Sequence, residues 1–267
     1  MKKISQILVV TLTGISLWAC KPIVNHLAFH PNTISVIQEN ELPQGIEELV
    51  VVTEDNVTLR NLYLPAPNSD KVLVYFHGNG GNIYHRIPSL LQLRNSGVNV
   101  IGVSYRGYGR SEGSPSEDGI YQDGKAVYKH AQDTLGFTRK NIVIVGRSIG
   151  STAAVDTAQH ENIGGLILIT PLTSGRAHTV ARGLGLFASL AGNSFDNLSK
   201  MNNISSPLLI IHGTNDYVVP FSMGEEIYAK ATSPKQFIRI EDGGHNDLQD
   251  VYPNEYWSPI FTFIKKL

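Results

Sequence analysis

The chain has 267 residues, of which 42% are hydrophobic, and its formal net charge is -1. That length is sufficient for one sizeable core in a single α/β domain. The near-neutral charge provides no field for gathering nucleic acid, and the ordinary aromatic and glycine content excludes disordered and collagen-like classes. The histidines and the single cysteine show no metal-ligand spacing, so the sequence predicts neither a metal nor a cofactor.

The first residues predict export. Lys2 and Lys3 precede an apolar run over residues 4–19. The run is short for a membrane span, which needs about 20 apolar residues. A charged start followed by a short apolar stretch is typical of a signal peptide, here residues 1–19.

Cys20 is the only cysteine and stands directly after the predicted cut. Leu17 and Ala19 before it resemble a bacterial lipoprotein signal, although Trp18 departs from the small residue that is usual there. The resemblance implies a lipid on Cys20, and hence a lipoprotein anchored to a membrane of the bacterial envelope, at the periplasmic face of the outer membrane. Residues 20–45 would then be a tether. The alternative is an incidental cysteine beside an uncut anchor helix.

From residue 46 to 267, apolar runs alternate with helical stretches. Near-continuous Val/Ile/Leu runs separated by helices predict a mostly parallel sheet covered on both faces. A long insertion at 171–203 predicts a small cap. Eight strands are predicted, the first two as a hairpin, at 48–53, 56–64, 71–77, 98–105, 141–146, 164–170, 206–213 and 235–242. Helices are predicted at 86–97, 114–134, 151–160, 220–231 and 255–267.

The helix predicted at 114–134 carries a start signal. Ser114 is followed three residues later by Glu117, which indicates a capping box with a proline in the first turn. Asp118 and Asp123 are then expected to be negative charges near the helix N-terminus.

Two serines fit the pattern G-x-S-x-G, which exposes a nucleophile on a sharp turn. Ser148 lies in GRSIG, directly after a predicted strand and directly before a predicted helix. Ser111 lies in GRSEG, inside a glycine-rich loop well past its strand. A nucleophile elbow needs the strand–turn–helix context. The sequence therefore predicts Ser148 as the nucleophile and Ser111 as a structural or pocket-edge residue.

A nucleophilic serine needs a base and a carboxylate that orients the base. Asp216 follows the seventh predicted strand, and His245 follows the eighth. Both lie at the carboxyl end of a parallel sheet, where such folds bind ligands. The other histidines lack this context, and His77 and His212 at strand ends are expected to pack or form hydrogen bonds.

Two backbone N–H groups are expected to hold the developing oxyanion. The first belongs to Ile149, the residue after the predicted nucleophile. The second belongs to Asn79 in the glycine-rich loop HGNGGN at 77–82, which follows the third predicted strand. The alternative reading of that loop is a plain glycine turn.

Together the motifs YFHGNGGN, SYRGYGRSEG, VGRSIGS, IHGTNDYVVP and GGHND resemble the α/β-hydrolase superfamily of serine hydrolases, over roughly residues 29–266. The likeness is to small single-domain esterases, lipases, acyl-protein thioesterases and serine-aminopeptidase-like proteins. It implies the α/β-hydrolase fold, with Ser148 as nucleophile, His245 as base and Asp216 as orienting acid. Arg147, at the variable position before the nucleophile, is tolerated in such relatives.

The expected activity is hydrolysis of carboxylic esters or thioesters through an acyl-enzyme, without metal or cofactor. The apolar stretch 182–192 of the cap could line an acyl pocket or could merely pack onto the body. Arg176, His178 and Arg182 could meet an anionic head group or simply be solvated. Two other functions stay open, namely a serine peptidase acting on small amides and a noncatalytic envelope-anchored interaction protein.

Overall fold

The structure is a computed structural model that describes residues 22–33 and 41–267. The predicted signal peptide and Cys20 lie outside the described residues. One eight-stranded sheet forms the centre, in the order β8-β7-β6-β5-β3-β4-β2-β1. Its strands are β1 (Glu47–Val52), β2 (Thr58–Leu64), β3 (Val72–Phe76), β4 (Asn99–Val103), β5 (Ile142–Arg147), β6 (Gly165–Ile169), β7 (Leu208–Gly213) and β8 (Lys235–Ile240).

The directions of the strands in the sheet match the prediction. β1 and β2 form an antiparallel hairpin, and β2 also pairs antiparallel with β4. The pairs among β3 to β8 are all parallel. All eight predicted strands are therefore present, and the α/β-hydrolase fold with a mostly parallel sheet is confirmed.

Helices cover both faces of the sheet, and all five predicted helices are present. The longer ones are α1 (Ile87–Arg94), α2 (Glu117–Asp133), α3 (Gly150–Ala158), α4 (Gly175–Ala181), α7 (Phe221–Lys230) and α9 (Pro253–Lys266). Three short ones are α5 (Ala188–Ala191), α6 (Asn197–Lys200) and α8 (Leu248–Val251). Single 3-10 turns occur at Ile83–Arg86, Arg139–Asn141, Gly185–Phe187 and Met201–Asn203. Residues 22–28 are also helical.

Strand β3 contributes side chains to a hydrophobic core on each face of the sheet. All five of its residues are buried. Val72, Val74 and Phe76 pack with α2 and α3 on one face. Leu73 and Tyr75 pack with α1 and α9 on the other. Side chains of a strand alternate between faces, so a strand that is covered on both sides reads as a continuous apolar run.

The start of α2 corrects the sequence prediction. The helix begins at Glu117, and its cap is Ser116, whose Oγ accepts a hydrogen bond from Gly119 N at 3.0 Å. Ser114 and Pro115 lie before the helix because they pack against Gly107. A Cβ on Gly107 would lie 2.7 Å from Pro115 Cδ.

The Glu117 carboxylate therefore does not close a capping box. It instead accepts hydrogen bonds from Tyr121 Oη at 2.8 Å and from the Phe195 backbone N–H. The contact with Phe195 joins α2 to the cap insertion.

Asp123 also differs from the prediction. It is fully buried, and its Oδ1 accepts from Arg106 Nε at 2.8 Å while Oδ2 accepts from Arg106 N at 2.8 Å. Arg106 further contacts Asp55, which is 2.7 Å away. Burial raises the pKa of Asp123 to about 6, against the lowering effect of Arg106. Asp123 thus fixes the loop after β4 to α2 and is not a solvated helix-terminus charge.

The parallel strands bring their carboxyl ends to one edge of the sheet. The segments after β3, β5, β6 and β7, together with residues 22–28, line a common cavity at this edge. Within the described ranges, no helix has the length and hydropathy needed to cross a bilayer.

Candidate active site

The turn after β5 has the geometry of a nucleophile elbow. Ser148 stands between the end of β5 and the start of α3, and its φ is 55°. This left-handed conformation is uncommon for a residue with a side chain and marks a strained turn. The Ser148 N–H donates to Ile169 O at 2.9 Å, which fixes the turn to the end of β6.

Two glycines allow this turn. A Cβ on Gly150 would overlap the backbone carbonyl oxygens of Phe76 and His77, and a Cβ on Gly146 would lie 2.5 Å from Ala154 Cβ. The loop after β3 therefore crosses α3 at its first residue, where only glycine fits. The G-x-S-x-G spacing here reflects a steric requirement at both flanking positions.

The structure brings the three predicted catalytic side chains together. His245 Nε2 lies 3.0 Å from Ser148 Oγ, and His245 Nδ1 lies 2.7 Å from Asp216 Oδ2. A carboxylate can only accept, so Nδ1 carries the proton and Nε2 is free to accept the proton of the serine hydroxyl. Three distant segments of the chain thus form a continuous line of two hydrogen bonds.

Asp216 is held as an anion. Its Oδ1 accepts from Val218 N and Val219 N, both at 2.8 Å, and His212 Nε2 lies 3.4 Å from Oδ2. Burial by itself would raise the pKa of Asp216, but hydrogen bonds from His212 and His245 outweigh it, so the pKa lies well below its ordinary value. The carboxylate is therefore ionised at neutral and mildly acidic pH.

His212 and Ser111 have the structural roles that the sequence indicated. His212 is fully buried, and its Nε2 lies 2.9 Å from Val219 O. Ser111 Oγ donates to Ser104 O and accepts from Arg60 N, both at 2.9 Å. Ser111 ties its loop to β2, and its hydroxyl is occupied by these two bonds.

The loop after β3 places Asn79 beside Ser148, and both line the same cavity as Ile149. His77 Nδ1 lies 2.6 Å from Gly78 O, and burial lowers the pKa of His77 to about 3, so the neutral ring donates to that carbonyl. The described peptide bonds are trans, so the Asn79 N–H points away from His77. Within the described ranges, neither the Asn79 nor the Ile149 amide donates a hydrogen bond that would occupy it.

Two tyrosines hold the loop after β3 through hydrogen bonds to its backbone. Tyr105 Oη donates to His77 O, and Tyr108 Oη donates to Asn79 O, both at 2.8 Å. The rings of both tyrosines also pack against the His77 ring, at centroid distances of 4.6 and 5.3 Å. Tyr108 belongs to the loop RGYGRSEG, whose part in the site is thus to support the residues facing Ser148.

Arg147 has a role that sequence reasoning missed. It is buried directly before Ser148, and its Nη2 donates to His245 O at 2.9 Å and to Asn246 Oδ1 at 3.0 Å. Arg147 thereby fixes the loop that carries His245 beside Ser148. No local pattern signals this contact, because its partners lie 98 and 99 residues away.

A cavity of about 640 Å³ opens at Ser148. Its wall is overwhelmingly apolar, and the cap insertion and helical residues 22–28 both contribute to it. The polar lining residues other than Ser148 include His178 and Arg182, of which Arg182 donates to Tyr217 O at 2.8 Å. The apolar side chains of the lining are Ile23, Val24, Leu27, Ala28, Ile149, Leu172, Leu184, Ala191, Phe195, Val218 and Val219.

Two features of the lining bear on the sequence predictions. Within the range predicted as a tether, residues 22–28 form part of the cavity wall. Within the stretch 182–192, Arg182, Leu184 and Ala191 line the cavity. No cluster of three metal-ligating side chains occurs in the part of the chain that the structure describes.

The family model described as serine aminopeptidase, S33, matches residues 67–205. The chain belongs to this S33 family of α/β-hydrolases. As a member of the S33 family it is a hydrolase. The match includes Ser148 and ends before Asp216 and His245.

Relatives of this S33 family member include two animal proteins. It is 30% identical over 257 residues to the alpha/beta hydrolase domain-containing protein aho-3 of Caenorhabditis elegans, covering 87% of this chain and 76% of that protein. It is 32% identical over 185 residues to human alpha/beta hydrolase domain-containing protein 17B, covering 69% of this chain and 63% of the human protein. The alignment therefore spans less than two thirds of the human relative.

Solved structures share the fold. An esterase from Pyrococcus furiosus superposes with a TM-score of 0.76 at 24% identity, covering 90% of this chain and 97% of that chain. An alpha-beta hydrolase from Vibrio vulnificus superposes with a TM-score of 0.69 at 24% identity, covering 80% of this chain and 81% of that chain.

The crossing at the elbow generates a stability prediction. We expect Gly150→Ala to lower the free energy of unfolding by about 3 kcal/mol, because the added methyl group meets rigid backbone. Gly185→Ala is the control: a Cβ there has no neighbour within 4 Å, and we expect a change within about 0.5 kcal/mol. Urea unfolding followed by circular dichroism measures both. Equal stability of the two variants would contradict the steric account of the elbow.

Proposed function

We propose that this hydrolase cleaves carboxylic ester or thioester bonds through a Ser148–His245–Asp216 triad. The observation that carries the proposal is the line of two hydrogen bonds, 3.0 and 2.7 Å long, from Ser148 through His245 to Asp216. A serine hydroxyl is a weak nucleophile unless a base takes its proton. The strained elbow, the free amides beside it and the ionised carboxylate all support the same chemistry.

The reaction would proceed in two steps. Ser148 Oγ attacks the substrate carbonyl while His245 Nε2 takes its proton, and Asp216 stabilises the imidazolium that forms. The N–H groups of Asn79 and Ile149 stabilise the oxyanion. The protonated His245 then gives its proton to the leaving alcohol or thiol. Water repeats the sequence on the acyl-enzyme, which releases the acid and restores Ser148.

The cavity wall favours an acyl substrate over an aminoacyl one. Apolar side chains predominate in it, and none of its described lining residues is Asp or Glu. A peptidase that binds free N-termini needs a carboxylate for the ammonium group. The solved Pyrococcus relative is an esterase by its description. The family is named after a serine aminopeptidase, and amide hydrolysis is therefore the second candidate activity.

A noncatalytic interaction protein is the third alternative. Such a protein would have no use for the strained Ser148 or for two vacant amides beside it. Strain of this kind costs about 1–3 kcal/mol and persists mainly at functional sites. These features support catalysis instead.

We also propose that the chain is exported and lipidated at Cys20. The proposal rests on the sequence pattern of residues 1–20, which the described residues do not include. It would place the hydrolase on an envelope membrane, and the substrate would then be encountered at a lipid surface.

Covalent labelling tests the nucleophile. We expect a fluorophosphonate probe to label the wild type at Ser148 and Ser148→Ala not to react, with kcat/KM for an ester at least about 10³-fold lower. Ser111→Ala is the matched control, because Ser111 lies in the same motif, and it should still be labelled. Mass spectrometry of the probe adduct gives the position. Labelling that survives Ser148→Ala rules out this nucleophile.

An acyl-chain series tests the substrate class. For p-nitrophenyl esters we expect kcat/KM to rise with chain length by up to roughly fourfold per buried methylene, until the cavity is full. Aminoacyl p-nitroanilides should be turned over far more slowly, since the lining offers no carboxylate. Faster cleavage of the anilides would instead favour the peptidase.

Metabolic labelling tests the anchor. We expect the wild type, expressed in a bacterium, to incorporate labelled palmitate and Cys20→Ala to incorporate none, because Cys20 is the only thiol. Membrane fractionation provides the second readout. A wild type that takes up no label disproves lipidation without affecting the assignment of the triad.

A further inference from the structure

Four exposed apolar side chains line the cavity, and two more stand within two residues of them along the chain. They come from three segments that are far apart in sequence: Ile23 and Leu27, Leu184 and Leu186, and Tyr217 and Val218. We call these six residues the cavity rim. Leu186 is 96% exposed, Tyr217 is 82% exposed and Leu27 is 69% exposed. Exposed apolar side chains that collect at a cavity are typical of a binding surface.

The cavity rim is continuous with the cavity. Ile23, Leu27, Leu184 and Val218 belong to the rim and also line the interior. Arg182 Nη1 donates to Tyr217 O at 2.8 Å, which joins the cap to the loop after β7 beside the mouth. Apolar side chains that are exposed to solvent therefore belong to the same cavity lining as Ser148.

The charge around the rim is mainly positive. Residues 22–33 contain no Asp or Glu, and the cap, residues 171–203, contains one, Asp196, whose Oδ1 accepts a hydrogen bond from Ser199 N. Arg176 and Arg182 are exposed on the cap side. The carboxylates of Asp216 and Glu117 accept hydrogen bonds from the protein. An apolar surface flanked by two exposed arginines is complementary to an anionic lipid surface.

The chain before the described part enters at the same place. Residues 1–21 join the fold at Pro22, one residue before the first rim side chain, Ile23. The proposed attachment at Cys20 would stand three residues before Ile23 in the chain.

We propose that the cavity rim docks on an anionic phospholipid bilayer, so that the cavity opens into the lipid phase. An acyl chain could then pass from the bilayer to Ser148 without crossing water. The passage of an acyl chain to Ser148 rests on the proposed function, whereas the docking of the rim on the bilayer does not.

Fluorescence quenching by brominated lipid tests the docking. The full-length Ser148→Ala chain, which cannot turn over the lipid, is incorporated into phosphatidylglycerol vesicles with brominated or ordinary acyl chains. Leu186→Trp adds a reporter on the rim, and Val50→Trp adds one at an exposed apolar position of the edge strand β1. The signal of the parent chain, which contains Trp18 and Trp257, is subtracted.

We expect the fluorescence added by Leu186→Trp to be lost in brominated vesicles and that added by Val50→Trp to be retained. Equal quenching of both reporters, or of neither, overturns the proposal. Quenching by acrylamide distinguishes the bilayer from the other possible occupants of the rim. A Leu186→Trp reporter that is shielded from both bromine and acrylamide would mean that a second copy, or residues 1–21 or 34–40 of the same chain, covers the rim, and this too overturns it.

Rates of hydrolysis test separately whether an acyl chain passes from the bilayer to Ser148. We expect Leu186→Glu to lower the hydrolysis of an acyl ester embedded in anionic vesicles by roughly fivefold, the factor that corresponds to about 1 kcal/mol. Hydrolysis of a short soluble ester should not change, because Leu186 is not among the cavity-lining residues. Val50→Glu is the control. If Ser148→Ala hydrolyses both substrates as fast as wild type, the proposed function fails while the quenching result stands.

Discussion

The close approach of two backbone segments at Gly150 is the constraint on which the site depends. The carbonyl groups of Phe76 and His77 occupy the space where any side chain at residue 150 would lie. This crossing brings the loop after β3 directly against the elbow. It thereby sets Asn79 and Ile149 beside Ser148, which has a left-handed conformation. A well-packed core on both faces of the sheet compensates for that local strain.

Buried polar groups then hold the movable parts of the site. Neutral His77 orients the Gly78 carbonyl, and Tyr108 holds the Asn79 carbonyl. On the opposite side, Arg147 ties down the backbone of His245, and the backbone amides after Asp216 hold its carboxylate. Preorganised dipoles of this kind cost no reorganisation when charge develops. The polar interior around the elbow is therefore a support for the reacting groups, while the cavity wall beyond it is apolar.

The cavity connects the reaction chemistry with the surface of the molecule. Its wall combines the sheet edge, the cap and residues 22–28, so substrate access depends on the segment that also joins residues 1–21 to the fold. The cap, residues 171–203, supplies Arg176, Arg182 and Lys200 against one acidic residue, Asp196. The proposed docking on a lipid surface would use this one face for both attachment and substrate access.

The sequence by itself determined the eight strands and five of the helices, because these follow from local periodicity, and glycine spacing favoured Ser148 over Ser111 as the nucleophile. It also indicated Asp216 and His245, because parallel strands end at a common edge. It misjudged Ser114 and Asp123, since packing against Gly107 and an ion pair with Arg106 overrode the local helix signals. Only the tertiary structure decided the bond from Arg147 to His245, the cavity wall at residues 22–28 and the apolar rim. Such contacts join segments far apart along the chain, and no short sequence pattern encodes which distant surfaces meet.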